Sequence, residues 1–311
     1  MKIKKPKFWD SPNILIPVIL FPITILVMLL SFVFRKLSST KRFSIKVICI
    51  GNIYIGGTGK TPLSIRIADL LENKDFKVAI IKKNYRNQND EKKLIESKEK
   101  KVFFENKRSK SLKKAISQKY EVAILDDGMQ DFSIYKDLNI VCFTSNQLIG
   151  NGFTIPSGPL RENLKAINKC DIAMINGKPN LEFEKKLLKI NDKIKIYYSQ
   201  YNLVNKEFLK EYNYLAFAGI GNPENFFNLL ENEGLNIKKR ISFPDHYSFS
   251  NNEIMNLFEM AKKENLNLIT TEKDSHRLND DQIKKISIAK INLKINNLEN
   301  LQKEILNKIQ W

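Results

Sequence analysis

One stretch constrains this chain more than any other. Ser44 to Gly51 is a β-rich run carrying Ile45, Val47, Ile48 and Ile50, and it leads into Asn52-Ile53-Tyr54-Ile55-Gly56-Gly57-Thr58-Gly59-Lys60-Thr61. Pro62 to Leu71 then sets apolar residues at helical spacing, and Pro62 suits a first helical turn, where its missing N–H costs nothing. Strand, glycine-rich turn and helix in that order make an anion cradle. Glycines let backbone N–H groups turn inward around phosphate oxygens, and the helix amino terminus adds the positive end of its dipole. Lys60 reaches the β- and γ-phosphates of a nucleoside triphosphate such as ATP, and the Thr61 hydroxyl is a ligand for Mg2+. The strict pattern asks for glycine where this chain has Tyr54. Tyr54, Ile55, Gly56, Gly57, Thr58, Gly59, Lys60 and Thr61 are thus read as a variant nucleotide-binding turn.

A triphosphate cradle needs an acidic residue at the end of a neighbouring strand. Val122-Ala123-Ile124-Leu125-Asp126-Asp127 supplies one, so Asp126 and Asp127 join Thr61 as candidate metal residues. Further short apolar runs follow at Asn139 to Phe143, Ile172 to Ile175, Ile194 to Tyr198, Tyr214 to Ala218 and Leu266 to Ile269. Helical patterns lie between several of them, including Pro223 to Asn232 and Asn251 to Glu264. Alternating strands and helices imply an α/β fold of the P-loop NTPase type, with a mainly parallel sheet. Lys82 to Lys101 is charged and poor in apolar residues and reads as a loop with some helix. Asn180 to Lys193 is charged and poor in β-formers, and a lobe boundary is placed there. The expected domains are 1–43, an N-terminal hydrophobic helix and its flank; 44–185, the nucleotide-binding lobe; and 186–311, a second, smaller α/β lobe.

Ile14 to Phe34 contains only Thr24 and Ser31 as polar residues, with Pro17 and Pro22 inside it. At about 1.5 Å per residue it reaches across a hydrocarbon core of about 30 Å. It ends in Phe34-Arg35-Lys36 with no small-residue cleavage site, unlike a signal peptide. Basic residues flank both ends, with Lys2, Lys4, Lys5 and Lys7 before it and Arg35, Lys36, Lys41 and Arg42 after it, so charge gives no orientation. Crossing the membrane, lying in one leaflet and packing as a buried core helix all remain open. The soluble remainder faces the cytoplasm on this reading. The three cysteines have no CxxC spacing, which excludes a disulfide framework or zinc knuckle and suits a reducing compartment. The net charge of +18 favours anionic partners, phosphorylated substrates and acidic membrane surfaces among them. Nucleic acid is not expected, because no signature interleaves the basic residues with aromatics.

With these motifs in order, the chain resembles the tetraacyldisaccharide 4'-kinases over nearly its whole length. The resemblance rests on the apolar amino-terminal helix, Gly51-Asn52 followed by GGTGKTP, Asp126-Asp127-Gly128-Met129-Gln130, and Asn151-Gly152 followed by Pro156 to Glu162. It continues through Ala218 to Pro223 with Phe226-Phe227, Asp245-His246, and Thr271-Glu272-Lys273-Asp274. The resemblance implies transfer of the ATP γ-phosphate, with Mg2+, to the 4'-hydroxyl of a tetraacylated glucosamine disaccharide 1-phosphate in lipid A biosynthesis. It implies a location at the cytoplasmic face of the inner membrane, with the lipid entering beside the anchor.

The catalytic pair carried over by resemblance is Asp90, in Asn89-Asp90-Glu91, as base, supported by His246. His246 also stands out by itself as one of two histidines, on a loop following a strand. Arg161 and Glu162 are candidate substrate residues. The family's Arg-Gly-Tyr-Gly-Arg segment is Lys83-Asn84-Tyr85-Arg86-Asn87 here, and Asp131 stands where a histidine is usual. His276 lies in a polar segment and reads as exposed. Two other readings stay open: a membrane-anchored P-loop NTPase, which predicts a guanine-reading Asn-Lys-x-Asp motif that is read as absent here, and a lipid-binding scaffold that has lost catalysis.

Overall fold

The computed structural model describes residues 6–11, 14–85 and 89–310. Lys2, Lys4 and Lys5 of the basic flank, and Arg86 and Asn87 of the variant tyrosine segment, lie outside the described residues. In chain order the elements are α1 (Leu15–Leu37), β1 (Lys46–Gly51), α2 (Lys60–Glu72), β2 (Val78–Lys83), α3 (Asn89–Ser97), β3 (Val102–Glu105), α4 (Arg108–Ser117), β4 (Val122–Asp126), β5 (Leu138–Thr144), β6 (Ile172–Asn176), α5 (Leu181–Ile190) and β7 (Lys195–Leu203). There follow β8 (Asn213–Ala218), α6 (Pro223–Asn232), β9 (Asn236–Ser242), α7 (Asn251–Lys263), β10 (Asn267–Thr271), α8 (Glu272–Ser275), α9 (Asp280–Ile283), β11 (Ser287–Ala289), β12 (Ile291–Ile295) and α10 (Leu298–Ile309).

Two compact units form. The larger holds the residues up to Asn84, then Lys100–Gln200, then Ile295 onward; the smaller holds Tyr85–Glu99 and Tyr201–Lys294. Residues 186–200, assigned from sequence to the second lobe, therefore pack in the larger unit, while 85–99 leave the first lobe for the smaller one. The charged stretch after β2 is not simply a loop. Asn89 to Ser97 is helical, with Asp90 and Ile95 as its buried residues.

An eight-stranded sheet runs in the order β12-β7-β6-β5-β1-β4-β2-β3. The pairings of β1 with β4 and β5, of β2 with β3 and β4, and of β6 with β5 and β7 are parallel. Its inner strands are buried nearly throughout, which is why β1, β4 and β5 read as continuous apolar runs rather than alternating ones. The smaller unit has a four-stranded sheet, order β11-β10-β8-β9, also parallel throughout. β9 sits at its edge and alternates exposed with half-buried residues, so its Lys- and Arg-rich sequence gave no strand signal.

Helix α1 is the one described helix long and apolar enough to cross a membrane, by length and composition. Only Pro17 and Thr24 are buried in it; Leu15, Ile19, Leu26, Leu29, Phe32 and Phe34 are all exposed. Its attachment to the rest of the larger unit combines the Phe21 ring, edge-on to Phe153, with polar contacts. The Thr24 and Ser157 hydroxyls lie 2.7 Å apart, and Ser157 Oγ donates to the Pro17 carbonyl at 2.8 Å. All three cysteines are buried and unpaired.

Candidate active site

β1 ends at Gly51 and β4 at Asp126, and the two strands are parallel with Ile50 opposite Asp126. Register alone thus delivers the glycine-rich turn and the acidic pair to the carboxyl end of the sheet, where parallel α/β folds bind ligands. The turn enters α2 through Gly59, whose φ of 84° is a left-handed value that a side chain disfavours. Tyr54 is not among the positive-φ residues, so no glycine is required there. Its ring is fully buried in a cluster with Leu160, and its hydroxyl bonds Asp10 at 3.0 Å. The Ile55 N–H already donates to the Pro159 carbonyl at 2.9 Å. Tyr54 and Ile55 seat the loop against the core through these contacts. Lys60 and Thr61 open α2 after the turn of Gly56, Gly57, Thr58 and Gly59. The Asn52 amide supports it from below, donating to the carbonyls of Tyr54 at 2.5 Å and Gly56 at 3.3 Å.

Asp126 is fully buried. Its Oδ2 accepts the Thr61 hydroxyl at 2.8 Å and the Lys82 ammonium at 2.7 Å. Its Oδ1 and the Thr58 hydroxyl are buried with no hydrogen-bond partner. Orphaned polar atoms of this kind ask for a ligand, because leaving them unpaired is costly. Among the described residues no three His, Cys, Asp or Glu side chains gather for a metal. Mg2+ bound with a nucleotide needs no such cage, since phosphate oxygens and water complete its shell. The Thr61 hydroxyl and Asp126 Oδ1 match that donor set.

Asp127 lies beside the cradle, with φ 58°, 3.7 Å from Lys60 Nζ and 2.9 Å from Arg161 Nη1. Burial pushes its carboxyl up, and Lys60, Arg161 and Lys82 more than reverse this, leaving it below the usual carboxylate range. Arg161 also donates to Gln130 Oε1 at 3.2 Å, and the Gln130 amide donates to Glu162 at 2.9 Å and to the Asn52 carbonyl at 3.0 Å. The two candidate substrate residues are thereby tied to the acidic pair and to the cradle. Asp131 accepts from Arg108 Nη1 at 3.3 Å, while Arg108 Nη2 donates to the Asp127 carbonyl at 2.5 Å. Asp131 thus holds the arginine that braces the Asp127 backbone.

The second constellation belongs to the smaller unit. Asp90 sits in the first turn of α3 and is buried; His246 lies on the loop after β9 with φ 55°. The unusual backbone is fixed by the His246 N–H donating to the Gly219 carbonyl at 3.1 Å. His246 Nδ1 is 3.0 Å from each oxygen of Asp90, and Arg277 Nη2 donates to Asp90 Oδ2 as well. Arg277 is itself aimed by Asp274 at 2.8 Å and the Gly219 carbonyl at 2.9 Å. Lys273 Nζ lies 2.9 Å from Glu91, 3.3 Å from Asp245 and 3.4 Å from His246 Nε2. Burial pushes the Asp90 carboxyl up, but His246, Lys273 and Arg277 outweigh it and hold the group well below the usual carboxylate range. Lys273 shows the mirror case: burial disfavours its charge, and Glu91, Asp245 and Asp90 restore it and more.

Sequence reasoning brought together Asp90 with His246, and Thr61 with Asp126. It gave no role to Lys82, Gln130, Lys273 or Arg277; the last three lie within or beside motifs already singled out. His276 is half-buried rather than exposed, with Nε2 3.5 Å from the Ser97 hydroxyl. Asn168-Lys169-Cys170-Asp171 does spell Asn-Lys-x-Asp. Asp171 is spent elsewhere, however, accepting from the Asn139 N–H at 2.9 Å and from Lys308 at 2.7 Å. It precedes β6, at the end of the sheet opposite the cradle, and so cannot read a base there.

A family model described as tetraacyldisaccharide-1-P 4'-kinase, LpxK, matches residues 14–310. A tetraacyldisaccharide 4'-kinase of Pelagibacter ubique (strain HTCC1062) is 42% identical over 314 residues, covering 98% of each chain. One of Rickettsia akari (strain Hartford) is 35% identical over 328 residues, covering 100% of this chain and 99% of the relative. Among solved structures, LpxK from Aquifex aeolicus in complex with ATP aligns with a TM-score of 0.73 and 26% identity, over 95% of this chain and 100% of that one. This chain belongs to the LpxK family, the tetraacyldisaccharide-1-P 4'-kinases.

Proposed function

We propose that this protein moves the γ-phosphate of ATP onto the 4'-hydroxyl of a tetraacylated disaccharide 1-phosphate, with His246 receiving the hydroxyl proton. The activity is that of its family, an ATP-dependent phosphotransferase of lipid A biosynthesis. ATP as donor is supported by the solved relative in complex with ATP and by the cradle of this chain. The backbone N–H groups of Gly56 to Lys60 and the Lys60 ammonium would hold the phosphates. Thr61 and Asp126 would hold Mg2+, which when bound screens charge on the phosphate oxygens. Arg161, held against Asp127, would be a further cation for the phosphates.

The observation that carries the chemistry is the pairing of His246 Nδ1 with Asp90. A neutral ring with its proton on Nδ1 donates to Asp90 and leaves Nε2 to accept. Asp90 was expected to be the base. Burial pushes its carboxyl up, but His246, Lys273 and Arg277 hold it below the usual range, which suits it to hold the ring rather than to take the proton. It orients the ring and stabilises the imidazolium that forms.

Association with the inner membrane at its cytoplasmic face is supported by the exposed apolar surface of α1 and by Arg35, Lys36, Lys41 and Arg42 after it. The test is direct. Purified protein is incubated with labelled ATP, Mg2+ and the disaccharide 1-phosphate lipid, beside Lys60→Ala and His246→Ala variants. Label appears in the lipid for the wild type alone. No transfer by the wild type would sink the proposal, and full transfer by His246→Ala would sink the proton route.

A further inference from the structure

Lys82, near the end of β2, is not used by the reaction described above. Its side chain is 5% exposed, that of Asp126 is 0% exposed, and the two meet at 2.7 Å. An ammonium is seldom buried this far unless paired. β2 and β4 are parallel, with Ile81 opposite Leu125, so the next residue on each strand brings Lys82 beside Asp126 at the cradle end of the sheet. Asp126 Oδ2 then has two donors, Lys82 and Thr61, while Oδ1 has none. Asp127 has its own close cations in Lys60 and Arg161, with a smaller influence from Lys82. Each aspartate of the pair is therefore charge-compensated by protein groups alone.

We propose that Lys82 is a positioning residue for the phosphoryl donor: its ammonium neutralises Asp126 through Oδ2, so that the triphosphate binds with little need of a divalent cation, and Oδ1 alone is left to serve the metal. The inference rests on reading Gly56 to Thr61 as the ATP cradle. Where no such ammonium exists, a metal-free triphosphate meets a bare buried carboxylate, and Mg2+ must remove the repulsion. With Lys82 in place, that repulsion is already largely cancelled. Without it, metal-free nucleotide binding suffers most, because Mg2+ can take the vacated side of Asp126.

A core ion pair that merely ties β2 to β4 predicts something different. Its loss lowers stability but leaves the metal dependence of nucleotide binding where it was. ATP affinity is therefore measured by calorimetry on the full-length protein, once in EDTA and once in Mg2+. The variants are Lys82→Met, Lys82→Arg and the double variant Lys82→Met/Asp126→Asn. The ratio of the two dissociation constants should rise about tenfold or more in Lys82→Met and stay near wild type in Lys82→Arg. The double variant loses both charges at once and keeps its fold if Lys82→Met alone does not; its affinity in EDTA should stay within about threefold of wild type. An unchanged ratio in Lys82→Met, or a loss of more than about tenfold in EDTA for the double variant, overturns the proposal. Absence of ATP binding by the wild type in both conditions would instead remove the cradle reading on which it rests.

Discussion

His246 Nδ1 sits 3.0 Å from both carboxylate oxygens of Asp90, across 156 positions of sequence. A ring held so symmetrically has little freedom to turn, and its other nitrogen is fixed in place. Removing the imidazole removes the proton acceptor, so His246→Ala should lower kcat by about 10²–10⁴-fold. Asp90→Asn keeps the shape but not the charge that stabilises the imidazolium, and should fall in the same range. ATP affinity, measured by calorimetry, should stay unchanged in both. A parallel loss of ATP binding would show that the pair acts structurally.

Asp90 also makes stability depend on pH. Its folded-state pKa is depressed, so its contribution is complete above the ordinary carboxylate value of about 3.9 and is lost as pH falls below it. The melting temperature of the wild type should therefore drop more steeply than that of Asp90→Asn between about pH 4 and pH 2.5. Equal slopes would mean that Asp90 carries no such linkage.

Lys60 opens α2 and lies 3.7 Å from Asp127. Lys60→Ala should weaken ATP binding by at least about tenfold. Melting in the absence of nucleotide should shift little, since Arg161 still pairs with Asp127. Stabilisation of the variant by saturating ATP equal to that of the wild type would contradict this.

Tyr54→Gly would restore the strict glycine pattern, yet it should make a worse protein. The ring is fully buried and its hydroxyl bonds Asp10. Emptying a site of this size costs about 3–5 kcal/mol. Chemical denaturation should show that loss with no gain in ATP affinity, whereas Tyr54→Phe should cost only about 1 kcal/mol.

The exposed face of α1 should govern partition and its polar clamp should govern docking. Replacing Ile19, Leu26 and Phe34 by Ser should shift the protein from sedimenting with anionic vesicles to the supernatant. Thr24→Val should leave sedimentation intact and lower stability by about 1–3 kcal/mol, because the buried Ser157 N–H loses its acceptor. Unchanged sedimentation of the triple variant would remove the proposed membrane role of this helix.

The cradle and Asp126 were legible because each sits at the end of a buried parallel strand, and such strands announce themselves as unbroken apolar runs. Asp90 with His246 came through the family motifs rather than through any local pattern. Lys82, Lys273 and Arg277 did not stand out, since each is one basic residue among 52 in this chain. What distinguishes them is burial against a carboxylate, and that is a tertiary property. The division into units was not legible for a related reason. Strand β7 reads as the same β-rich run whichever unit claims it, and the short helix α3 carries too few apolar residues to declare where it packs.

The interleaved assignment of chain to units has a consequence for synthesis. Residues of the larger unit come first, in the middle and last, ending in α10, while the smaller unit takes two separate stretches. During translation α3 emerges with Asp90 long before β8, β9 and the loop of His246 exist. The larger unit meanwhile waits for its final helix. Contacts between the first and last stretches of the larger unit therefore span nearly the whole chain, and contacts of such sequence separation are slow to form.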